Sequence, residues 1–489
     1  MPNSTIQPKS IKLNYMITLA YEAFSLLVSL VTVPYVSRVF TPQEIGVYSF
    51  SETIAQYFII FGNLGIATYG QIVIAKRRDD AAEMSKAFAE LWALRLCTML
   101  LSFGVFMLAA FNGGRYRTAL LIQGLLVFGA AFDLTWLFRG IENFSLVVTR
   151  NIVVKVLIVS LVFLLVKKRE DIYLYIFLMA VSTLIGNLTF LIPLRRVVRP
   201  VDLKSLDIVQ HLRPCMVFFI PTIATSIYLM LDKAMLGLMT VGSEQNGYYE
   251  QAHRIEQVTI VVITSLNLIM RSRMSYLYER RDWEKFRYLF RRSVNFIMML
   301  SIPMALGMIA VAPQLIPVYL GAGYEPSIPL LRIFSTLLVI IGLSNCLNTH
   351  ILSPSGRQGK NNYVLISGAV LNVICNALWI PRYGAIGASC ASVLAELLIL
   401  TGYLVLARDF ITPATLLLWG WRYIVSGALM TLALMGVDRI GLSTLSALLI
   451  KILCGGAVYF TAVFALRDPF AAEGLNILIK KLKLRKEKR

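Results

Sequence analysis

"IYLMLDKAMLGLM" (residues 227–239) reads as a lipid-facing helix at eleven of its thirteen positions. The other two, Asp232 and Lys233, stand side by side in the middle of the run. A charge at the centre of a bilayer helix costs about 2.5–3.5 kcal/mol on insertion scales. Two adjacent charges therefore raise two questions: whether the run is in a membrane, and what the charges do there. The whole chain answers the first. Of its 489 residues, 57% are hydrophobic and 15% charged, and its mean hydropathy is +0.70. Water-facing domains carry about 25% charged residues. The chain lacks the charge that a soluble surface needs, and it reads as an all-α integral membrane protein.

A crossing of about 30 Å of hydrocarbon needs about 20 apolar residues. That length predicts about fourteen transmembrane helices, near 14–38, 46–70, 87–110, 118–138, 149–166, 172–194, 216–240, 247–270, 293–316, 328–352, 362–380, 384–407, 417–437 and 444–466. The first is too long for a signal peptide and reads as a retained span. With these spans, 32 of the 47 Lys and Arg fall on the side of the N-terminus, 8 on the opposite side and 7 inside spans. Positive charge favours the cytoplasmic side, so both termini are expected inside the cell. The outer loops are all short and leave no room for an extracellular domain.

This topology also accounts for the net charge of +20. "RSRMSYLYERRDWEKFRYLFRR" (271–292) and "KKLKLRKEKR" (480–489) read as inner-leaflet surfaces drawn to anionic membrane lipids, not as nucleic-acid contacts. The six cysteines fall within or beside apolar runs without a Cys-x-x-Cys pair and read as packing residues. No metal motif, nucleophile elbow or dinucleotide fingerprint is present. "SGRQGKNN" (355–362) lacks the spacing and the Ser or Thr of a phosphate loop. The expectation is a non-enzyme without a cofactor. Any uphill work then draws on a gradient or on the supply and removal of substrate.

Two stretches resemble each other at an offset of 201 residues: "GVYSFSETIAQ" (46–56) and "GYYEQAHRIEQ" (247–257). Each opens a helix after an outer loop, and six helices separate them. An even number preserves direction, which predicts two six-helix lobes related by an axis along the membrane normal. The expected divisions are 1–200, 201–407, and 408–489 for two further helices with a basic tail. At 1.5 Å per residue, Glu52 lies about 9 Å from the start of its helix, and Arg254 and Lys233 lie about 10 Å deep in theirs. Glu52, Asp232, Lys233, Glu250, His253 and Arg254 thus form one charged layer in the outer third of the second, seventh and eighth spans. Arg38 stands just above it. Glu250 and Arg254, four apart, share a helix face. Asp232 and Lys233 are about 100° apart around theirs and need different partners. More isolated charges include Glu22, Arg95 and Asp133, with Arg139 and Glu142 near the inner mouth.

These residues also carry a resemblance. "PYVSRVFTPQEIGVYSFSETIAQYF" (34–58) resembles the first hairpin of the bacterial polysaccharide repeat-unit flippases. This is the Wzx group of the multidrug/oligosaccharidyl-lipid/polysaccharide (MOP) exporter superfamily. "LDKAMLGLM" (231–239) with "GYYEQAHRI" (247–255) resembles that group's seventh and eighth helices, and "YGAIGASCASVLAE" (383–396) its twelfth. The resemblance implies two lobes around a central cleft and alternating access in the bacterial cytoplasmic membrane. The substrate would be an undecaprenyl-diphosphate-linked oligosaccharide, moved from the inner to the outer leaflet for O-antigen, capsule or similar synthesis. A polysaccharide polymerase and chain-length proteins would act beside it. Arg38, Glu52, Lys233, His253 and Arg254 would then contact substrate. Glu22, Asp133, Asp232 and Glu250 would balance charge or carry a coupling proton or sodium ion. The alternatives are a lipid II flippase and a cation-coupled multidrug antiporter of the same superfamily. The cations of the layer count against the antiporter, whose cavity would be acidic and aromatic.

Overall fold

The computed structural model describes residues 11–473, without the side chains of residues 11–16, 18, 19, 203, 221, 224–229, 268 and 269. The basic run at 480–489 lies outside the described residues, as do both ends of the chain. Sixteen α-helices and a few single turns make up the described residues, and no strand is found among them. Two compact units divide the chain, residues 1–247 and 248–489.

The first unit holds α1 (Ile11–Val39), α2 (Pro42–Asn63), α3 (Ile66–Arg77), α4 (Ala81–Phe111), α5 (Arg117–Ala130), α6 (Thr135–Gly140), α7 (Phe144–Leu165), α8 (Ile172–Leu188), α9 (Leu191–Val197) and α10 (Leu212–Met239). Within it α2 packs on α4, α5 and α10, α5 on α8, and α1 on α7. Start signals in the sequence set several boundaries. Pro42 opens α2 at a position where its missing N–H costs nothing. Glu44 reaches back to accept from the Thr41 N–H at 2.7 Å. Asp80 caps α4 by accepting from the N–H groups of Ala82 (2.7 Å) and Glu83 (3.1 Å). These bonds, to Glu83 first and Ala82 next, hold its carboxyl below the usual range.

The expected span at 46–70 is broken. Leu64 and Gly65 adopt left-handed backbone (φ 49° and 75°) and bend α2 from α3 by 40°. A Cβ at Gly65 would stand 2.6 Å from the carbonyl oxygen of Cys215 on α10, so glycine answers both the turn and the close approach. The span expected at 118–138 falls within a single candidate crossing, Gly114–Gly140, in which a short turn separates α5, ending at Ala130, from α6, beginning at Thr135.

α11 (Glu244–Glu279) begins in the first unit and runs on into the second. There it is followed by α12 (Trp283–Tyr319), α13 (Ser327–Leu347), α14 (Gln358–Leu406), α15 (Pro413–Val437) and α16 (Thr444–Ala465). α12 packs on α13, α15 and α16, and α13 on α14. The basic segment 271–292 comprises the end of α11 and the start of α12, joined through a turn at Arg281 (φ 55°). Asp282 caps α12 by accepting from the Lys285 N–H at 3.3 Å.

Among the described residues eleven helices are long and apolar enough to cross a membrane, or twelve if α2 and α3 form one broken span. α14, at 49 residues, covers both expected spans 362–380 and 384–407, with a kink at Gly384 (φ 54°, ψ −131°) three residues after Pro381. The molecule is a multi-pass membrane protein.

Candidate functional site

In the first unit α10, which carries Asp232 and Lys233, packs on α2, which carries Glu52. A Cβ at Gly237 of α10 would stand 2.0 Å from the Phe50 ring of α2. Asn246 donates through Nδ2 to the carbonyl oxygen of Lys233 at 2.7 Å, while its Oδ1 lies 3.4 Å from the Ser49 hydroxyl. Asp232 is buried (7% exposed), and Lys233 and Glu52 are half-buried. Arg38 lies exposed in the last turn of α1. Arg115, from the turn before α5, donates to the carbonyl oxygens of Gly237 (2.9 Å) and Thr240 (2.8 Å). It thereby satisfies the negative end of α10. The sequence marks Arg115 only as a charge in an outer loop.

The two glycines of the 201-residue repeat meet each other's helix starts. A Cβ at Gly46 would stand 1.7 Å from the carbonyl oxygen of Ser243, and one at Gly247 would stand 1.8 Å from that of Pro42. Ser243 is Pro42 displaced by the same 201 positions. The contact is therefore reciprocal, as a local two-fold at these four residues requires. The Ser243 hydroxyl adds a bond to the Gln43 carbonyl oxygen at 2.9 Å.

In the second unit α11 carries the remaining members. Arg254 Nε donates to Glu250 Oε1 at 2.5 Å, the pair that their spacing suggests, and Glu250 is buried. His253 lies 3.3 Å from Glu256 through Nδ1 and 3.0 Å from Gln257 through Nε2, with the Phe334 ring 5.6 Å away. Glu256 is only 2% exposed and does not stand out in the sequence. Its one available signal is the spacing of three from His253, which puts both on one face of the helix.

The other candidates do not join these residues. Glu22 is exposed on α1. Glu142 pairs with Arg78 at 2.6 Å. Asp133, just before α6, accepts from the Thr135 N–H at 3.0 Å and from its hydroxyl, and faces Arg95 at 3.5 Å. Arg139, exposed on α6, lines a polar cavity together with Arg95, Asp133 and Arg150. Arg150 is a charge the sequence does not single out. Lys155, inside a span, donates to the Ser25 hydroxyl.

Residues 12–271 match the family described as polysaccharide biosynthesis protein, and residues 218–378 match the MatE family. The chain is 22% identical over 392 residues to a Shigella dysenteriae protein named "Putative O-antigen transporter", covering 79% of this chain and 98% of that one. An Escherichia coli protein of the same name is 21% identical, over 82% and 97%. A Haloferax volcanii "Probable low-salt glycan biosynthesis flippase Agl15" is 23% identical over 53% and 55%. Among solved structures the fold is similar to that of the lipid II flippase MurJ in an inward closed conformation, with a TM-score of 0.74 and 15% identity over 96% of this chain and 99% of that one. It is also similar to an outward-facing MATE transporter of the MOP superfamily, at 0.51 and 16% over 83% and 94%. On the match over more than half its length, and with a fold shared with MOP transporters, this chain belongs to the polysaccharide biosynthesis protein family.

Proposed function

We propose that the protein is a flippase. It moves undecaprenyl-diphosphate-linked oligosaccharide repeat units from the inner to the outer leaflet of the bacterial cytoplasmic membrane by alternating access, for O-antigen, capsule or similar synthesis. The reading includes fourteen crossings with both termini inside, two six-helix lobes, and a polysaccharide polymerase and chain-length proteins acting downstream. The observation that carries it is the set of charges in two long helices, Asp232 and Lys233 on α10 and Glu250 and Arg254 on α11, in a chain of the polysaccharide biosynthesis family. A diphosphate cannot cross hydrocarbon unaided. Lys and Arg replace the water that it loses, Arg with bidentate geometry. The neighbouring carboxylates keep those cations tolerable when no substrate is bound. Either carboxylate could also take a coupling proton or sodium ion.

Lys233, Arg254 and Arg38 hold the diphosphate in this reading. A hydrogen bond to a charged group is worth about 1.5–3 kcal/mol, a ten- to hundredfold change in affinity. Lys233→Gln therefore sharply lowers surface polysaccharide, assayed on gels of cell extracts, while membrane protein level is unchanged. Lys233→Arg retains part of the activity. Near-normal polysaccharide in both Lys233→Gln and Arg254→Gln would refute the assignment.

A further inference from the structure

A groove of about 670 Å³ lies in the first unit, lined by α7 and its N-cap Asn143 on one side and by the stretch from Thr189 to Arg196 on the other. Both sides belong to segments long and apolar enough to cross a membrane. The lining is mostly apolar, with Leu146, Val153 and Val154 from α7 and Phe190, Ile192 and Pro193 from the second side. Val153 is 51% exposed and Ile192 72%, so the groove opens to the lipid. At 1.5 Å per residue, Ser145 to Val154 spans about 14 Å. Half of a hydrocarbon core of about 30 Å is about 15 Å. The groove therefore has the reach of one leaflet's acyl chain, from the interface to the midplane.

Its charge has one sign. Among the described lining residues Arg150 and Arg196 are charged, and none is acidic. Arg196 is exposed in the last turn of α9, four residues after Ile192 and on the same face. Arg150 stands over the Phe190 ring, 4.7 Å from its centre. It donates to the carbonyl oxygen of Gly186 (2.7 Å) and to the side-chain oxygens of Asn151 (2.7 Å) and Asn187 (2.8 Å), three uncharged acceptors. The neighbouring carboxylates are engaged elsewhere, Asp133 facing Arg95 and Glu142 pairing with Arg78. Two cations at an otherwise apolar groove attract an anionic head group, and Arg geometry suits phosphate oxygens.

We propose that this groove binds an anionic glycerophospholipid of the surrounding membrane. One acyl chain lies along α7, the head-group phosphate sits on Arg196, and Arg150 adds to the field. Length selects this occupant: a polyprenyl chain of tens of carbons overruns a groove one leaflet deep, whereas an acyl chain ends with it. The lipid is a fixed companion of the first unit and not cargo, so the site stands whether or not the flippase reading holds.

The test uses the full-length protein in phosphatidylcholine nanodiscs with a small fraction of phosphatidylglycerol that carries a photoactivatable group near the end of one acyl chain. Crosslinked residues are mapped by mass spectrometry. Val153 and Leu453 are both exposed, and each is the tenth residue of a 22-residue helix, but Leu453 is on α16, outside the groove. Label at Val153 and Val154 should stand well above that at Leu453. With the corresponding phosphatidylethanolamine probe it should fall to the Leu453 level. Arg196→Gln, at an exposed position, should lower the groove label about fivefold, the worth of one Arg near an anionic head group, with thermal unfolding unchanged. Equal label at Val153 and Leu453, equal label from the two head groups, or unchanged label in Arg196→Gln overturns the site. Displacement of the label by undecaprenyl phosphate as readily as by unlabelled phosphatidylglycerol would give the groove to a carrier lipid and overturn the phospholipid occupant.

Discussion

At the scale of single residues, the glycines are the most exposed to test. Neither Gly46 nor Gly247 has room for a methyl group, because a backbone carbonyl oxygen blocks each. A rotamer change cannot relieve that clash, and overpacking costs about 1–3 kcal/mol or more. Gly46→Ala and Gly247→Ala should each lower the midpoint of thermal unfolding in detergent. Gly104→Ala should not, because nothing lies within 4 Å of its added Cβ and alanine favours the helix. The repeat that carries these glycines is visible in the sequence, and so is the Glu250–Arg254 pair, since both depend on spacing along the chain. The pairing of Arg95 with Asp133 and the bonds from Arg150 to Gly186 and Asn187 are not visible there. They join residues 36 to 38 apart in different elements, and periodicity carries no information across that separation.

At the scale of helices, apolar length places the spans well and says little about their breaks. α14 reads as two spans in the sequence, and two helical stretches do meet within it at Gly384, whose backbone takes a non-helical conformation that side-chain-bearing residues rarely reach. Gly384→Ala should therefore lower thermal stability by about 1–3 kcal/mol. Gly359→Ala, in open space in the first turn of the same helix, should leave it within experimental error. The break between α2 and α3 has the opposite history. "GNLG" (62–65) sits inside a run apolar enough to pass as continuous, and only the approach of α10 to Gly65 explains why the chain turns there.

At the scale of the whole molecule, the charge bias makes a direct claim about orientation. In a cysteine-free background, Val241→Cys and Asn112→Cys should react with an impermeant thiol reagent applied from outside. Arg281→Cys and Gln358→Cys should react only after the membrane is opened. Val241 is 97% exposed and reports its loop better than its neighbour Ser243, which is 5% exposed. The reverse labelling pattern would overturn the orientation and the direction of transport with it.

The central claim is lipid-linked oligosaccharide movement between leaflets, and its most direct measurement is in vesicles. Purified protein is reconstituted with an undecaprenyl-diphosphate-linked oligosaccharide. The fraction of head groups open to a sugar-specific reagent in the external solution is then followed over time. The account predicts that protein-containing vesicles expose head groups from the inner leaflet well beyond the half that protein-free vesicles show, and that Lys233→Gln vesicles fall back towards that half. Equal exposure with and without wild-type protein, in vesicles where the folded protein is present, would contradict it.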